Sequence, residues 1–292
     1  MSLHLCTFQT PTLSAEMSAK ATLPCALQMR KGLNKTIWLL WLQGWDQVPW
    51  LHQQISKSWE TNNPDWKVEY VSLANLPNYV TDIDYIYDPT KQISPQIKSD
   101  IIRASLLKNH GGVWADSTML CVQPLDHWIH EAVEKQGFWM YRGDGAKMDI
   151  SVGPAIWFMA SYPNSIIASK LKSACDQFWQ INNEPDTTGF LDARFKHCFE
   201  TDDEFRQSWS KVPSLDSSAD GQAHCFAKYN SMIEDYSWLK LLLLQKPPYV
   251  LKYWSWWHDI YPDITVDKCR NSNGFFALEL AKKGLIYKHE MK

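Results

Sequence analysis

Glycine is scarce in this chain: 12 of 292 residues, about 4% against the roughly 7% of average proteins. No internal repeat and no low-complexity tract is present, so a solenoid, a flexible linker or a disordered tail is excluded for the bulk of the sequence. Long apolar runs are missing too. The greasiest stretches, Ile37–Leu42 and Leu239–Leu244, fall far short of the ~20 residues that span a bilayer, and no transmembrane segment is expected. The first 30 residues lack a basic start followed by an unbroken apolar core, so a secretory signal is not expected either. Neither sign of charge dominates: 29 Lys+Arg face 32 Asp+Glu, a net charge of -3. That leaves no electrostatic footprint for nucleic acid or an anionic membrane surface. The 7 cysteines are odd in number and scattered, with no C-x-x-C pair. Zinc and redox frameworks are therefore unsupported, and a reducing, cytoplasmic setting is expected.

What the chain has in excess is indole, with 16 Trp among 45% hydrophobic residues. Trp offers a flat apolar face and one N–H donor, which serves core packing and stacking on sugars or nucleobases alike. Length and hydrophobicity together allow one large domain or two closely joined ones, either with room for a full core.

The first 33 residues are aperiodic and read as a loose N-terminal extension. Order begins near Lys35. The run Thr36-Ile37-Trp38-Leu39-Leu40-Trp41-Leu42 is short and continuously apolar, as in a strand buried on both faces. Val48, Leu51, Ile55 and Trp59 recur at helical spacing, predicting a helix over 48–62. Asn63-Pro64-Asp65 stops it, and a strand follows over 66–71. Ser94-Pro95 opens a second helix, with Pro at its first position, and Gly111-Gly112 closes it. A strand over 113–115 then carries Asp116 to its end. Strands are also expected over 138–141 and 155–159, and helices over 165–179, 190–198 and 202–210. The alternation of strand and helix predicts an α/β fold with parallel pairing.

Chemistry concentrates between Ser99 and Thr118. Asp100 and Arg103 stand three apart on one helix face, and Asp116 ends the next strand. Ligands of open α/β sheets bind outside the carboxyl ends of strands, so the three can converge. A carboxylate there accepts sugar hydroxyls, and Arg103 can form charge-assisted bonds to phosphate. Taken alone, the pair reads equally as an exposed i,i+3 ion pair of a few tenths of a kcal/mol. His127 and His130 can share a helical face, but with no third ligand in view they read as surface residues. Gly143-Asp144-Gly145 reads as a turn.

The block Ser99-Asp100-x-x-Arg103-x-x-x-Leu107-x-x-x-Gly111-Gly112-x-x-x-Asp116 resembles the signature of sugar-nucleotide glycosyltransferases with the DXD motif. More narrowly it is similar to the capsular polysaccharide synthesis protein group of glycosyltransferase family 32. Ile37-Trp38-x-x-Trp41-x-Gln43-Gly44 and Asn63-Pro64-x-Trp66 resemble that group's opening motifs. Ile156–Ala160 with Pro163-Asn164, and Phe205-x-x-x-Trp209-x-x-Val212-Pro213, are weaker matches.

The resemblance implies a GT-A-type fold, a Rossmann-like mixed sheet flanked by helices, in a single domain over 34–292. Its nucleotide-sugar half would be 34–125 and its acceptor half 126–292. It further implies transfer of a sugar, with retention, from a nucleoside diphosphate donor such as a UDP-sugar to a glycan or lipid-linked acceptor. Trp41, Gln43 and Gly44 match the base site, Asp100 and Arg103 the ribose, sugar and phosphate contacts, and Asp116 the first acid of the motif. Thr118 replaces the second acid, so Asp116 and Thr118 are left to hold a divalent cation, Mn²⁺ or Mg²⁺. Asp116, Arg103 and Asp192 are the candidate catalytic groups, Asp192 lying where related enzymes carry an acceptor-side carboxylate. Lys252, Trp254, Trp256 and His258 are candidates for the acceptor side or a lid. A non-catalytic carbohydrate-binding protein derived from a transferase is the rival reading. A glycoside hydrolase would need two carboxylates at fixed separation, and no motif nominates such a pair.

Overall fold

The apolar run at the start of the ordered chain becomes β1 (Thr36–Leu40), every residue of which is buried. The chain divides into units 1–30 and 31–292. Within the second, the computed structural model describes residues 32–142, 155–217, 245, 247–253 and 282. The strand is buried because it is flanked on both sides. On one edge it pairs in parallel with β2 (Lys67–Val71), Ile37 opposite Val68. On the other it pairs in parallel with β3 (Gly112–Ala115), Ile37 opposite Val113.

Numbering strands and helices in chain order, β4 is Met119–Cys121, β5 Phe138–Met140, β6 Phe158–Ser161 and β7 Val250–Lys252. β6 lies antiparallel to both β3 and β5. The order β2-β1-β3-β6-β5 makes a mixed, open α/β sheet. The chain leaves β1 for β2 on one side and returns for β3 on the other. The crevice beyond the carboxyl ends of β1 and β3 is therefore the topological switch point of the sheet, where such folds bind ligands.

Helix α1 (Trp50–Asn62) crosses from β1 to β2. It starts two residues later than the periodicity predicts, because Val48 precedes a proline and is extended, with Pro49 at the cap. Helix α2 (Pro95–His110) has the expected punctuation: the Ser94 side chain accepts from the Ile97 amide, and Gly111 caps the other end. Both closing glycines hold positive φ. A Cβ on Gly111 would stand 2.6 Å from the Ser161 carbonyl oxygen, and one on Gly112 2.5 Å from that of Thr36. The double glycine lets the turn into β3 pass between β1 and β6.

Helices α3 (Ile129–Glu134), α4 (Ile166–Ile181), α5 (Phe190–Thr201) and α6 (Asp203–Ser210) complete the described fold. Ser165 and Asp202, expected as first helical residues, are side-chain caps instead. The strand expected over 155–159 begins only at Phe158, because Ala155–Trp157 forms a turn whose Ile156 carbonyl accepts from Arg103 in the middle of α2. His127 ends a 3₁₀ turn before α3 starts at Ile129, so the two histidines share no helix, and His130 instead contacts Asp126.

β4 pairs antiparallel with β7, Met119 opposite Lys252, an element that local patterning did not reveal. It is held against α1 by polar contacts in an otherwise apolar layer. Trp59 Nε1 donates to the Met119 carbonyl at 2.7 Å, and the Cys121 amide donates to Ser58 Oγ at 2.9 Å. Asn63, from the Asn-Pro-x-Trp stretch, accepts from the Leu125 amide at 2.7 Å and donates to the Trp59 carbonyl at 2.9 Å. The later Phe205, Trp209 and Val212 are all buried, with Arg142 over the Trp209 ring. Both motifs therefore serve the frame rather than the crevice.

Candidate active site

A cleft of about 400 Å³ opens at the switch point, lined by the end of β1 and the residues that follow it, by the first half of α2, by Trp114 and residues 116–118, and by Lys252. Helix spacing brings Asp100 and Arg103 to its floor. Neither is on the surface: their side chains are 8% and 6% exposed. Arg103 Nη2 lies 3.3 Å from Asp100 Oδ1 and 3.5 Å from Asp116 Oδ1. The guanidinium also donates to the Ile156 carbonyl at 2.6 Å and to Ser99 Oγ at 3.1 Å, and stands 4.9 Å from the Trp114 ring centre. Burial without such partners would be prohibitive for a charge. The late start of β6 is what supplies the Ile156 carbonyl, so the apparent irregularity after Ala155 belongs to the site.

Asp116 is held from several directions. Its amide donates to the Trp157 carbonyl at 2.9 Å, Trp114 Nε1 donates to Oδ1 at 3.0 Å, and Lys252 Nζ contacts Oδ2 at 3.1 Å. The same ammonium donates to Thr118 Oγ1 at 2.6 Å. The side chain of Asp116 is 26% exposed and that of Lys252 15%, so both touch the cleft.

The carboxylates differ in electrostatic character. Burial pushes the Asp100 carboxyl upward, and the opposing pull of Arg103 and the Leu191 amide does not cancel it. Burial acts on Asp116 in the same direction, but Lys252, Arg103 and the Trp114 indole together hold it below the ordinary carboxylate range. Asp192, in the first turn of α5, is pushed up to about 6 by burial and by the charge of Asp100, against a smaller pull from Arg103. Asp192 is not among the residues lining the cleft; it is coupled to the floor through Asp100.

Trp41 and Gln43 line the cleft. The half-buried Trp41 ring leans on His52, centres 5.0 Å apart. Gly44 lies just outside the lining, with a φ of 108° and its Cβ position 2.6 Å from Asp46 Oδ1, so it shapes the turn beyond Gln43. Lys252, expected on the acceptor or lid side, contacts Asp116 and Thr118. Trp254, Trp256 and His258 lie outside the described residues, as do residues 1–31 of the N-terminal extension and Gly143-Asp144-Gly145. Four contributors were given no role from the sequence. Trp114 was legible only as a residue of the expected strand and Ser99 only as the first residue of the motif, whereas the carbonyls of Ile156 and Trp157 had no signal.

The residues at Asp116 and Thr118 do not fit a divalent cation. One Asp116 oxygen receives an indole N–H and faces a guanidinium, and the other receives an ammonium. The Thr118 hydroxyl receives that same ammonium. The ammonium stands between Asp116 Oδ2 and Thr118 Oγ1, at 3.1 and 2.6 Å, so a hard cation bridging these two oxygens would have to displace it. Among the described residues, no group of three or more His, Cys, Asp or Glu could hold a metal ion.

The profile of a family described as capsular polysaccharide synthesis protein matches residues 19–253. The glycosyltransferase afumC of Aspergillus fumigatus is 30% identical over 168 residues, 52% of this chain and 41% of that protein. The initiation-specific alpha-1,6-mannosyltransferase of Candida albicans is 30% identical over 110 residues, 34% of this chain and 28% of its own. The chain thus spans less than half the length of these curated relatives. Among solved structures, the glycosyltransferase GlyE of Streptococcus pneumoniae superposes with a TM-score of 0.47 at 10% identity, covering 86% of this chain and 64% of that one. PaToxG glycosyltransferase does so with a TM-score of 0.38 at 13% identity, covering 61% and 74%.

Proposed function

Because this chain belongs to the capsular polysaccharide synthesis protein family, we propose that it is a glycosyltransferase acting on a nucleoside diphosphate sugar. The sugar is a hexose, in line with the mannosyltransferase among its relatives, and the donor a UDP-sugar in the first instance. The acceptor is a glycan or a lipid-linked sugar, and the anomeric configuration is retained. No described helix is long and apolar enough to cross a membrane; the cytoplasm is the proposed setting.

The observation that carries this reading is the convergence of Trp41, Asp100, Arg103 and Asp116 on one cleft at the carboxyl ends of β1 and β3. Trp41 offers a ring face for the base. Asp116, held ionised, accepts donor-sugar hydroxyls. Asp100, whose ionisation burial opposes, can accept or donate a hydrogen bond at the sugar. Arg103 is fixed by four oxygen-bearing neighbours before any donor arrives, so its charge is aimed without reorganisation. In the reaction the acceptor oxygen bonds to the anomeric carbon and the bond to the diphosphate breaks. The electron pair leaves with the diphosphate, and the acceptor proton passes to the departing oxygen. The protein contributes position and charge stabilisation.

A binding module without turnover would share the cleft but release no product. The test is a panel of nucleotide sugars offered to the purified chain with acceptor, following free nucleoside diphosphate. Release above the protein-free control, lost in Asp116→Asn, supports the transferase. Binding of a nucleotide sugar without release over hours would favour the binder.

A further inference from the structure

We propose that Lys252 is this enzyme's resident counter-cation for the donor diphosphate, taking the seat that a divalent metal would occupy. The proposal rests on the transferase reading above. Its observation is the position of one ammonium. Lys252 Nζ lies 3.1 Å from Asp116 Oδ2 and 2.6 Å from Thr118 Oγ1, touching both ends of the Asp116-Ser117-Thr118 motif.

The placement is built into the fold. β7 pairs with β4 so that Lys252 stands opposite Met119, and the Tyr253 amide donates to the Thr118 carbonyl at 3.0 Å. Backbone pairing at Thr118 and Met119 thus fixes the origin of the lysine stem. Trp157 flanks it, with its ring centre 6.0 Å from the ammonium. A long, flexible side chain is here confined before ligand binds.

Charge arithmetic supports the substitution. Arg103 and Lys252 approach Asp116 from its two oxygens, at 3.5 and 3.1 Å. Together they carry two positive charges, the charge of one Mg²⁺ or Mn²⁺. The replacement of a second acid by Thr118 has a physical reason in this arrangement. A carboxylate there would give the ammonium a second anionic partner besides Asp116, whereas the Thr118 hydroxyl accepts a hydrogen bond from it without adding a negative charge. The three donors of the ammonium exceed the two hydrogen bonds it makes among the described residues, so a phosphate oxygen entering the cleft can take the third. Lys252 would then neutralise the charge that builds on the diphosphate as the bond to the anomeric carbon breaks.

The experiment is calorimetric titration of UDP and GDP, each against its free nucleoside, in EDTA and again in Mn²⁺. Wild type is expected to bind a nucleoside diphosphate equally in both. Lys252→Met, which keeps the stem and its packing, should weaken diphosphate binding by about 10- to 150-fold, the worth of a charge-assisted hydrogen bond, and leave the nucleoside unchanged. Lys252→Arg should recover part of the loss. Combining Lys252→Ala with Thr118→Asp frees the seat and restores a second acid, so diphosphate binding should become dependent on Mn²⁺. Wild-type binding that EDTA abolishes and Mn²⁺ restores would overturn the proposal while leaving the transferase reading intact. Equal loss of nucleoside and diphosphate affinity in a folded Lys252→Met would also overturn it. If neither diphosphate binds in either condition, the donor-site reading fails and the proposal with it.

Discussion

Truncating Arg103 to alanine separates a buried network from an exposed ion pair by magnitude. Were the pair at the surface, Arg103→Ala would cost well under ~1 kcal/mol. In the structure the guanidinium is almost fully enclosed and answers Asp100, Asp116, Ser99 and the Ile156 carbonyl. Removing it leaves the enclosed Asp100 carboxylate with the Leu191 amide, 3.3 Å away, and strips the Ile156 carbonyl of its donor. Breaking a buried pair from one side costs about 3–5 kcal/mol. The deficit should depend on pH, and its sign is fixed. The folded-state pKa of Asp100 is already raised, and losing Arg103 raises it further. The folded variant then holds a proton that the unfolded chain has released, so its stability falls as pH rises through that window. Asp116 acts in the same sense. Its lowered pKa stabilises the fold above the ordinary carboxylate range, and losing Arg103 reduces that gain. Urea unfolding should show a deficit of about 3–5 kcal/mol at high pH that narrows towards acid. Asp100→Asn in the same chain should recover part of it, because the amide keeps the shape without the charge. A deficit under ~1 kcal/mol at both ends of the range would refute the reasoning. Arg103→Lys, which keeps the charge but not the fork, isolates the functional part. Its kcat/KM for the donor should fall about 10- to 150-fold with a far smaller change in melting.

Trp41→Ala should weaken nucleoside binding by about 1–3 kcal/mol, the worth of a base–aromatic stack, with little loss of stability because the ring is only half-buried; unchanged affinity by calorimetry would remove Trp41 from the base site. Asp192, pushed up to about 6, should make the fold less stable as pH rises from the ordinary carboxylate range through 6, by at most about 3 kcal/mol. Asp192→Asn should flatten that part of the stability–pH curve, and an unchanged curve would show that its carboxyl is not raised. Gly111→Ala forces a side chain onto positive φ and against the Ser161 carbonyl, and should cost about 2 kcal/mol or more. A melting temperature within a degree of wild type would contradict the tight turn.

Local sequence determined the parts of this protein whose signals are local. A continuous apolar run specified β1, because a strand flanked on both edges must be apolar on both faces. Ser94-Pro95 and Gly111-Gly112 bounded α2, because end groups of helices are satisfied by neighbours in sequence. Helical periodicity put Asp100 beside Arg103, and the strand that follows delivered Asp116 to the same rim. Periodicity does not say which way a helix face turns, so the sequence left that pair divided between the surface and a buried site. Packing of α2 beneath the turn at Ile156 buried it, and that turn follows from β6 starting later than its apolar pattern suggests. Lys252 shows the same division over a longer distance. It meets Asp116 only because β7 pairs with β4, and a contact such as that of Lys252 with Thr118, 134 residues apart, leaves no trace in the local pattern of either segment. The chain therefore announces an acidic and basic motif at the head of a sheet. Only tertiary structure decides that an ammonium sits at its centre, since Coulomb attraction acts through space between groups that the sequence keeps apart.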